Sequence, residues 1–142
     1  MKATVALLIA LLIPAQWHLA EAAAPSDFPV DPNVESVRTG GYWKMGSQDG
    51  WYRVVVANFG FEHISSHVRI EWLATPGEDG EVRVAKKVVL YDVLLGSVDI
   101  ESMRSDKAKT TVIISGVLRD DSKYRCQLVL RVDGSYSRGA TC

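Results

Sequence analysis

Apolar and polar residues alternate one by one through most of this chain from residue 36 onward, and that period of two constrains it to β-structure. A strand sends successive side chains to opposite faces, so alternation marks a sheet with one dry and one wet side. The pattern predicts strands at residues 36–45, 51–59, 66–74, 81–91, 110–118, 123–132 and 135–141. In the third, Val68, Ile70 and Trp72 share a face opposite His67, Arg69 and Glu71. In the sixth, Tyr124, Cys126, Leu128, Leu130 and Val132 oppose Arg125, Gln127 and Arg131, which points Cys126 inward. Residues 94–106 do not resolve into a single pattern.

Three Asp-Gly pairs, Asp49-Gly50, Asp79-Gly80 and Asp133-Gly134, fall between strand-like runs. They are read as hairpin turns, because Gly and to a lesser degree Asp accept the positive φ such turns require. No segment sustains an amphipathic helix that would cover a sheet. About seven short strands must therefore bury their apolar faces against one another. The expected fold is all-β, a two-sheet antiparallel sandwich of Ig-like or similar type, with a small β-barrel as the alternative.

The N-terminus predicts export. Lys2 precedes a short apolar run at residues 3–13, ended by Pro14 and followed by the small-residue site Ala20-Glu21-Ala22. That is the layout of a cleavable signal peptide, and the run is too short to span a bilayer. Cleavage after Ala22 is preferred over the next small-residue site, which would place Pro25 just after the cut. Removing residues 1–22 from the 142 leaves 120, enough for one domain. The domain organisation expected is a signal peptide at 1–22, a proline-containing extended leader at 23–36, and a single sandwich domain at 37–142. The protein is thus expected to be periplasmic or secreted, without membrane insertion once the signal is removed.

Export gives the two cysteines a meaning. An even count in an oxidising compartment reads as a disulfide, so Cys126 pairs with Cys142, closing a loop that stabilises by roughly 3 kcal/mol. The midpoint of the pair is Gly134, the expected turn glycine, which predicts two cysteines nearly opposite each other across a hairpin.

A net charge of −1 leaves no electrostatic footprint for nucleic acid. Glu62, His63 and His67 are close in sequence, but a strand carries His63 and His67 about 13 Å apart, too far for one ion. No metal or cofactor is therefore expected. Asp99 and Glu101 lie two apart, as on many solvated strands, and Asp120-Asp121 has the look of a turn. Motifs for nucleophilic or phosphate chemistry are missing, so no catalytic residue is assigned and the chain is read as a non-enzyme.

Aromatic residues are the feature left over. Tyr42, Trp43, Trp51, Tyr52, Phe59, Phe61 and Trp72 crowd into 31 residues. Tyr42-Trp43 and Trp51-Tyr52 sit on neighbouring strands, so each pair offers one ring to each face. With Tyr52, Val54 and Val56 inward, Trp51 and Arg53 face out. Trp51 and Arg53, with Trp43 or Tyr42 across the hairpin, would form a platform for a sugar ring or a protein. The competing use of these rings is the sandwich core, which is the commoner one, and Trp72 belongs there. A second contact point is the loop bearing Phe61 and His63, leading to His67. The expected function is a binding module for a protein or an envelope glycan. A structural component of the envelope is the alternative, and a small extracytoplasmic hydrolase is third.

Overall fold

The computed structural model describes residues 31–139 and 142, with residues 91–95 described as backbone only. The signal peptide and all but the end of the leader lie outside the described residues. Seven strands follow one another: β1 (Val34–Met45), β2 (Gln48–Phe59), β3 (Ser65–Ala74), β4 (Arg83–Ser105), β5 (Lys109–Leu118), β6 (Lys123–Arg131) and β7 (Tyr136–Arg138). Every neighbouring pair is antiparallel and the spatial order is the sequence order, so the chain is an up-and-down meander. The all-β two-sheet sandwich expected from the alternation is the fold that forms. β1 begins at Val34, so the last residues assigned to the leader belong to the sheet.

β4 makes two sheets out of one meander. Its first part pairs with β3 and closes a first sheet, β1-β2-β3-β4; from Gly96 onward it pairs with β5 and opens a second, β4-β5-β6-β7. The stretch 94–106, illegible in sequence, is the second half of this strand. A register shift between Ile100 and Ser102 interrupts its alternation, so that Val98, Ile100 and Met103 all pack toward the core. Where β4 leaves β3, the buried Ser66 hydroxyl donates to the Gly96 carbonyl at 2.9 Å and accepts from the Val98 amide at 3.1 Å. It replaces ladder bonds that the diverging strands no longer make.

The core lies between the inner faces. Trp43, Tyr52, Val54, Val56, Val68, Ile70 and Trp72 come from the first sheet, and Val98, Ile100, Val112, Ile114, Cys126, Leu128 and Leu130 from the second. The inward assignments made for strands three and six are correct for Val68, Ile70, Trp72, Tyr124, Cys126, Leu128 and Leu130, whereas Val132 lies past the end of β6 and outside the core cluster. Three hydrogen bonds run from the first sheet to the turn after β6. Tyr52 Oη donates to the Arg131 carbonyl at 2.5 Å, the Lys44 amide to the Val132 carbonyl at 2.7 Å, and Trp72 Nε1 to the Gly134 carbonyl at 3.1 Å. The rings that donate are also edge-packed, with Tyr52 and Trp72 centroids 5.5 Å apart and Trp72 and Tyr136 6.1 Å apart.

Two of the three Asp-Gly pairs turn the chain: Gly80 and Gly134 have positive φ and each donates three residues back, to Gly77 and Arg131. Asp49-Gly50 does not. The β1–β2 hairpin turns instead at Gly46-Ser47, with Met45 opposite Gln48 and Gly46 at φ 61°. Glycine first in a two-residue turn suits the primed geometry that matches strand twist. Gly50 serves another need: a Cβ there would lie 1.9 Å from the Leu73 carbonyl oxygen.

Cys126 and Cys142 are joined, with Cα atoms 4.8 Å apart. They are not directly opposed. Leu128 pairs with Arg138 and Leu130 with Tyr136, a register two residues off the one centred on Gly134. The difference is absorbed after β7: Gly139 bonds the Gln127 carbonyl, and the Cys142 amide returns to the Gly139 carbonyl at 3.0 Å.

Burial, with a further contribution from Asp133, raises the Tyr52 hydroxyl from 10.0 to about 12. The protonated form is favoured in the folded state, so this contribution to stability is complete below pH 10 and is lost as pH rises toward 12. Tyr52→Phe is expected to cost about 1 to 2 kcal/mol at neutral pH, since the Arg131 carbonyl keeps only its Gly134 partner. Denaturant titrations across pH should show the advantage of the parent over Tyr52→Phe shrinking between pH 10 and 12.

Candidate functional site

The first sheet's outer face holds the candidate site, and a β-bulge in β1 decides which aromatics reach it. β1 shifts register between Gly40 and Tyr42, leaving Gly41 as the extra residue at φ 70°. A Cβ at Gly41 would lie 1.9 Å from Thr110 Oγ1, so only glycine lets β1 approach β5 this closely. Beyond the bulge Tyr42 faces out opposite Trp51, while Trp43 faces in opposite Gly50.

Trp43, expected as a member of the platform, is therefore core. It is fully buried and its Nε1 donates to the Trp51 carbonyl at 3.0 Å. Trp51 is outward as expected, at 37% exposure, and Tyr42 is its partner at 49%. Register continues the row across all four strands, from Tyr42 and Trp51 to Leu73 and then Val84. Leu73 is buried beneath this row and Val84 is 46% exposed. Rings and aliphatic chains thus cross the whole sheet on a rigid backbone.

Arg53 faces out beside Trp51, but it is not a free contact. Arg53 Nε donates to Glu71 Oε2 at 2.5 Å, and Arg69 Nε stands 2.8 Å from Oε1. Glu71 is almost fully buried between the two guanidinium groups. Sequence patterning had placed it on a wet face; paired arginines, whose stems cover apolar surface, account for its burial and for that of Val55 and Leu73 nearby.

Tyr42 leads from the row into a groove. Its hydroxyl donates to Asp49 Oδ2 at 3.2 Å, and partial desolvation, then this hydrogen bond and the Asp49 charge, raise its pKa. Asp49 lines an open groove of about 620 Å³ at the end of the first sheet, between the β1–β2 turn and the β3–β4 loop. Ser47, Gln48 and Thr75 contribute amide and hydroxyl groups, and Glu78, Asp79 and Glu81 contribute carboxylates. Arg83 pairs with Asp79 and stands 3.7 Å from Glu81. Neither the groove nor its polar rim was recognised in the sequence; the available signal was the turn-rich acidic stretch after Thr75.

The second predicted contact point lies elsewhere. Phe61 is 97% exposed in the β2–β3 loop, and Ile64 and Val117, also exposed, line one groove at that end of the molecule. Counting along β2, Trp51 and Phe59 are roughly 27 Å apart at the strand rise, so the platform and this loop occupy opposite ends of the sheet. His63 is exposed in that loop, beside a groove of about 350 Å³ with Glu62 and Arg119. His67 belongs to neither surface: its ring packs on Phe59 at 4.6 Å between centroids, in a small cavity with Arg69 and Val89. Among the described residues no cluster of His, Cys, Asp and Glu has metal-holding geometry.

The paired carboxylates noted in the sequence have structural partners. Asp99 accepts from the Ile100 amide, and Glu101, the bulged residue of β4, is bound by Arg125 through two contacts of 3.2 Å. Arg125 holds the Glu101 carboxyl below its usual range, the reverse of what a general acid requires. Asp120 accepts from Ser122 and closes the β5–β6 turn, as its sequence suggested.

Trp43→Ala is expected to cost about 3 to 5 kcal/mol. Trp51→Ala is expected to cost about 1 kcal/mol or less. Thermal and urea denaturation of the two variants compares them directly; similar losses would place Trp51 in the core. Comparison with protein-family models, with curated proteins and with solved structures yields no match to this chain.

Proposed function

We propose that this protein is an exported binding module that recognises an envelope glycan on the first sheet's outer face. The observation that carries this reading is the contiguity of an aromatic platform, Tyr42 and Trp51, with a groove rimmed by carboxylates, amides and hydroxyls. A pyranose presents an apolar C–H face and a ring of hydroxyls. The first stacks on an indole exposed on the sheet face; the second bonds to groups such as Asp49, Gln48 and Thr75. The aromatic ring carries area at small entropic cost because the strand already holds it. Export rests on the signal-peptide pattern at residues 1–22, and an extracytoplasmic location is where such a glycan is met.

A protein partner is the second reading, favoured by the 97% exposure of Phe61 on the loop whose Ile64 lines a groove with Val117. An apolar ring on a loop is the type of side chain that anchors protein interfaces.

An array of envelope oligosaccharides, probed with the parent, Trp51→Ala and Phe61→Ala, separates the two. The glycan reading expects binding that falls at least about tenfold in Trp51→Ala and is unchanged in Phe61→Ala. Absence of any glycan binding, or binding indifferent to Trp51, would contradict it.

A further inference from the structure

The first part of β4 is an open edge. Within residues 83–90, Arg83, Val84 and Lys86 to Val89 pair with β3 on one side, with register shifts at Ala85 and Leu90, and on the other side no strand pairs with them among the described residues. An edge of this kind presents a row of backbone donors and acceptors over roughly 27 Å, the length of a strand of eight residues.

Charge distinguishes this edge. Arg83 is occupied by Asp79 and Glu81, and Glu71, opposite Lys87 in the ladder, is occupied by Arg53 and Arg69. Lys86 and Lys87 have no carboxylate partner among the described residues. The two lysines project to opposite faces. Lys86 pairs with Trp72 on the core side, its Nζ 4.7 Å from the indole centroid, and Lys87 lies on the outer face. Val84 and Val89, each close to half exposed, flank them on the strand.

An inward lysine on an edge strand bars pairing with a second copy, because two such edges brought together oppose like charges. The same arrangement selects a strand of opposite charge. We propose that the β4 edge over residues 83–90 is a strand-addition site for an extended, acidic segment of a partner protein. Main-chain bonds extend the first sheet by one strand, two adjacent carboxylates meet Lys86 and Lys87, and apolar side chains lie beside Val84 and Val89. This site adjoins the platform row at Val84 and the groove at Arg83, but it uses the strand edge and does not depend on the glycan reading.

The test uses two labelled octapeptides of alternating valine and threonine, one with Glu-Asp at its centre and the other with Lys-Arg. Fluorescence anisotropy with the unsubstituted protein is expected to show the acidic peptide binding at least about tenfold more tightly, and amide hydrogen exchange to slow at residues 83–90 on saturation. Lys86→Glu combined with Lys87→Glu is expected to reverse the preference. Equal affinity for the two peptides, no binding of the acidic one, or protection confined to another strand overturns the proposal. So does equal competition by a single-stranded oligonucleotide, which would mark the lysines as a general anion patch. The peptide comparison on the unsubstituted protein stands even where the double variant fails to fold.

Discussion

Tyr52, Trp72 and the Lys44 amide all donate to carbonyls of the single turn that follows β6. The sandwich depends on this contact. Sheets in a meander are joined only by the strand they share, here β4, and that strand fixes one side of the molecule. The turn at residues 131–135 fixes the other by locking the second sheet to the middle and end of the first. It also satisfies the polar atoms of two large buried aromatics, which would otherwise be costly in an apolar interior. The concentration of aromatics in sequence is therefore chiefly an architectural device. Its three fully buried members, Trp43, Tyr52 and Trp72, make the closed end of the core.

The outer face inherits its shape from that core. With Trp43 turned in by the Gly41 bulge, Tyr42 is turned out beside Trp51, and the hairpin that closes the core on one side carries the platform on the other. The Glu71 pair of arginines stiffens the next row of the same face. Binding surfaces built on strands hold their geometry better than those on loops, which favours the platform over the Phe61 loop for a rigid ligand. At the open side of the sandwich, Lys86 covers Trp72 while leaving the β4 backbone unpaired, so one residue serves core packing and edge chemistry together.

Much of this fold was legible because period-two alternation survives wherever a strand has one wet face. Strands three and six were read to within one residue at their ends, and the sandwich followed from having no helix to cover a sheet. The reading failed where local rules compete with tertiary contact. Asp49-Gly50 has turn chemistry, but Gly50 is required by the Leu73 backbone, and Gly46-Ser47 turns the chain instead. The disulfide partners were identified, while the β6–β7 ladder runs two residues off the register that their spacing predicts. β4 was cut short at residue 91, where its pairing with β3 shifts register, and its continuation was obscured by a second break in alternation at Glu101. For the site, Trp51 and Arg53 were placed on the correct face. The exchange of Trp43 for Tyr42 rested on one glycine bulge, whose trace in the sequence is the Gly40-Gly41 pair ahead of the aromatics.

The division of the aromatics between clamp and platform is the claim on which both architecture and function rest, and indole hydrogen exchange followed by NMR tests it most directly. The Nε1 protons of Trp43 and Trp72, buried and bonded to carbonyls, are predicted to exchange only with global unfolding, while that of Trp51 exchanges at once. Rapid exchange at Trp72, or protection at Trp51 equal to that at Trp43, would contradict the account.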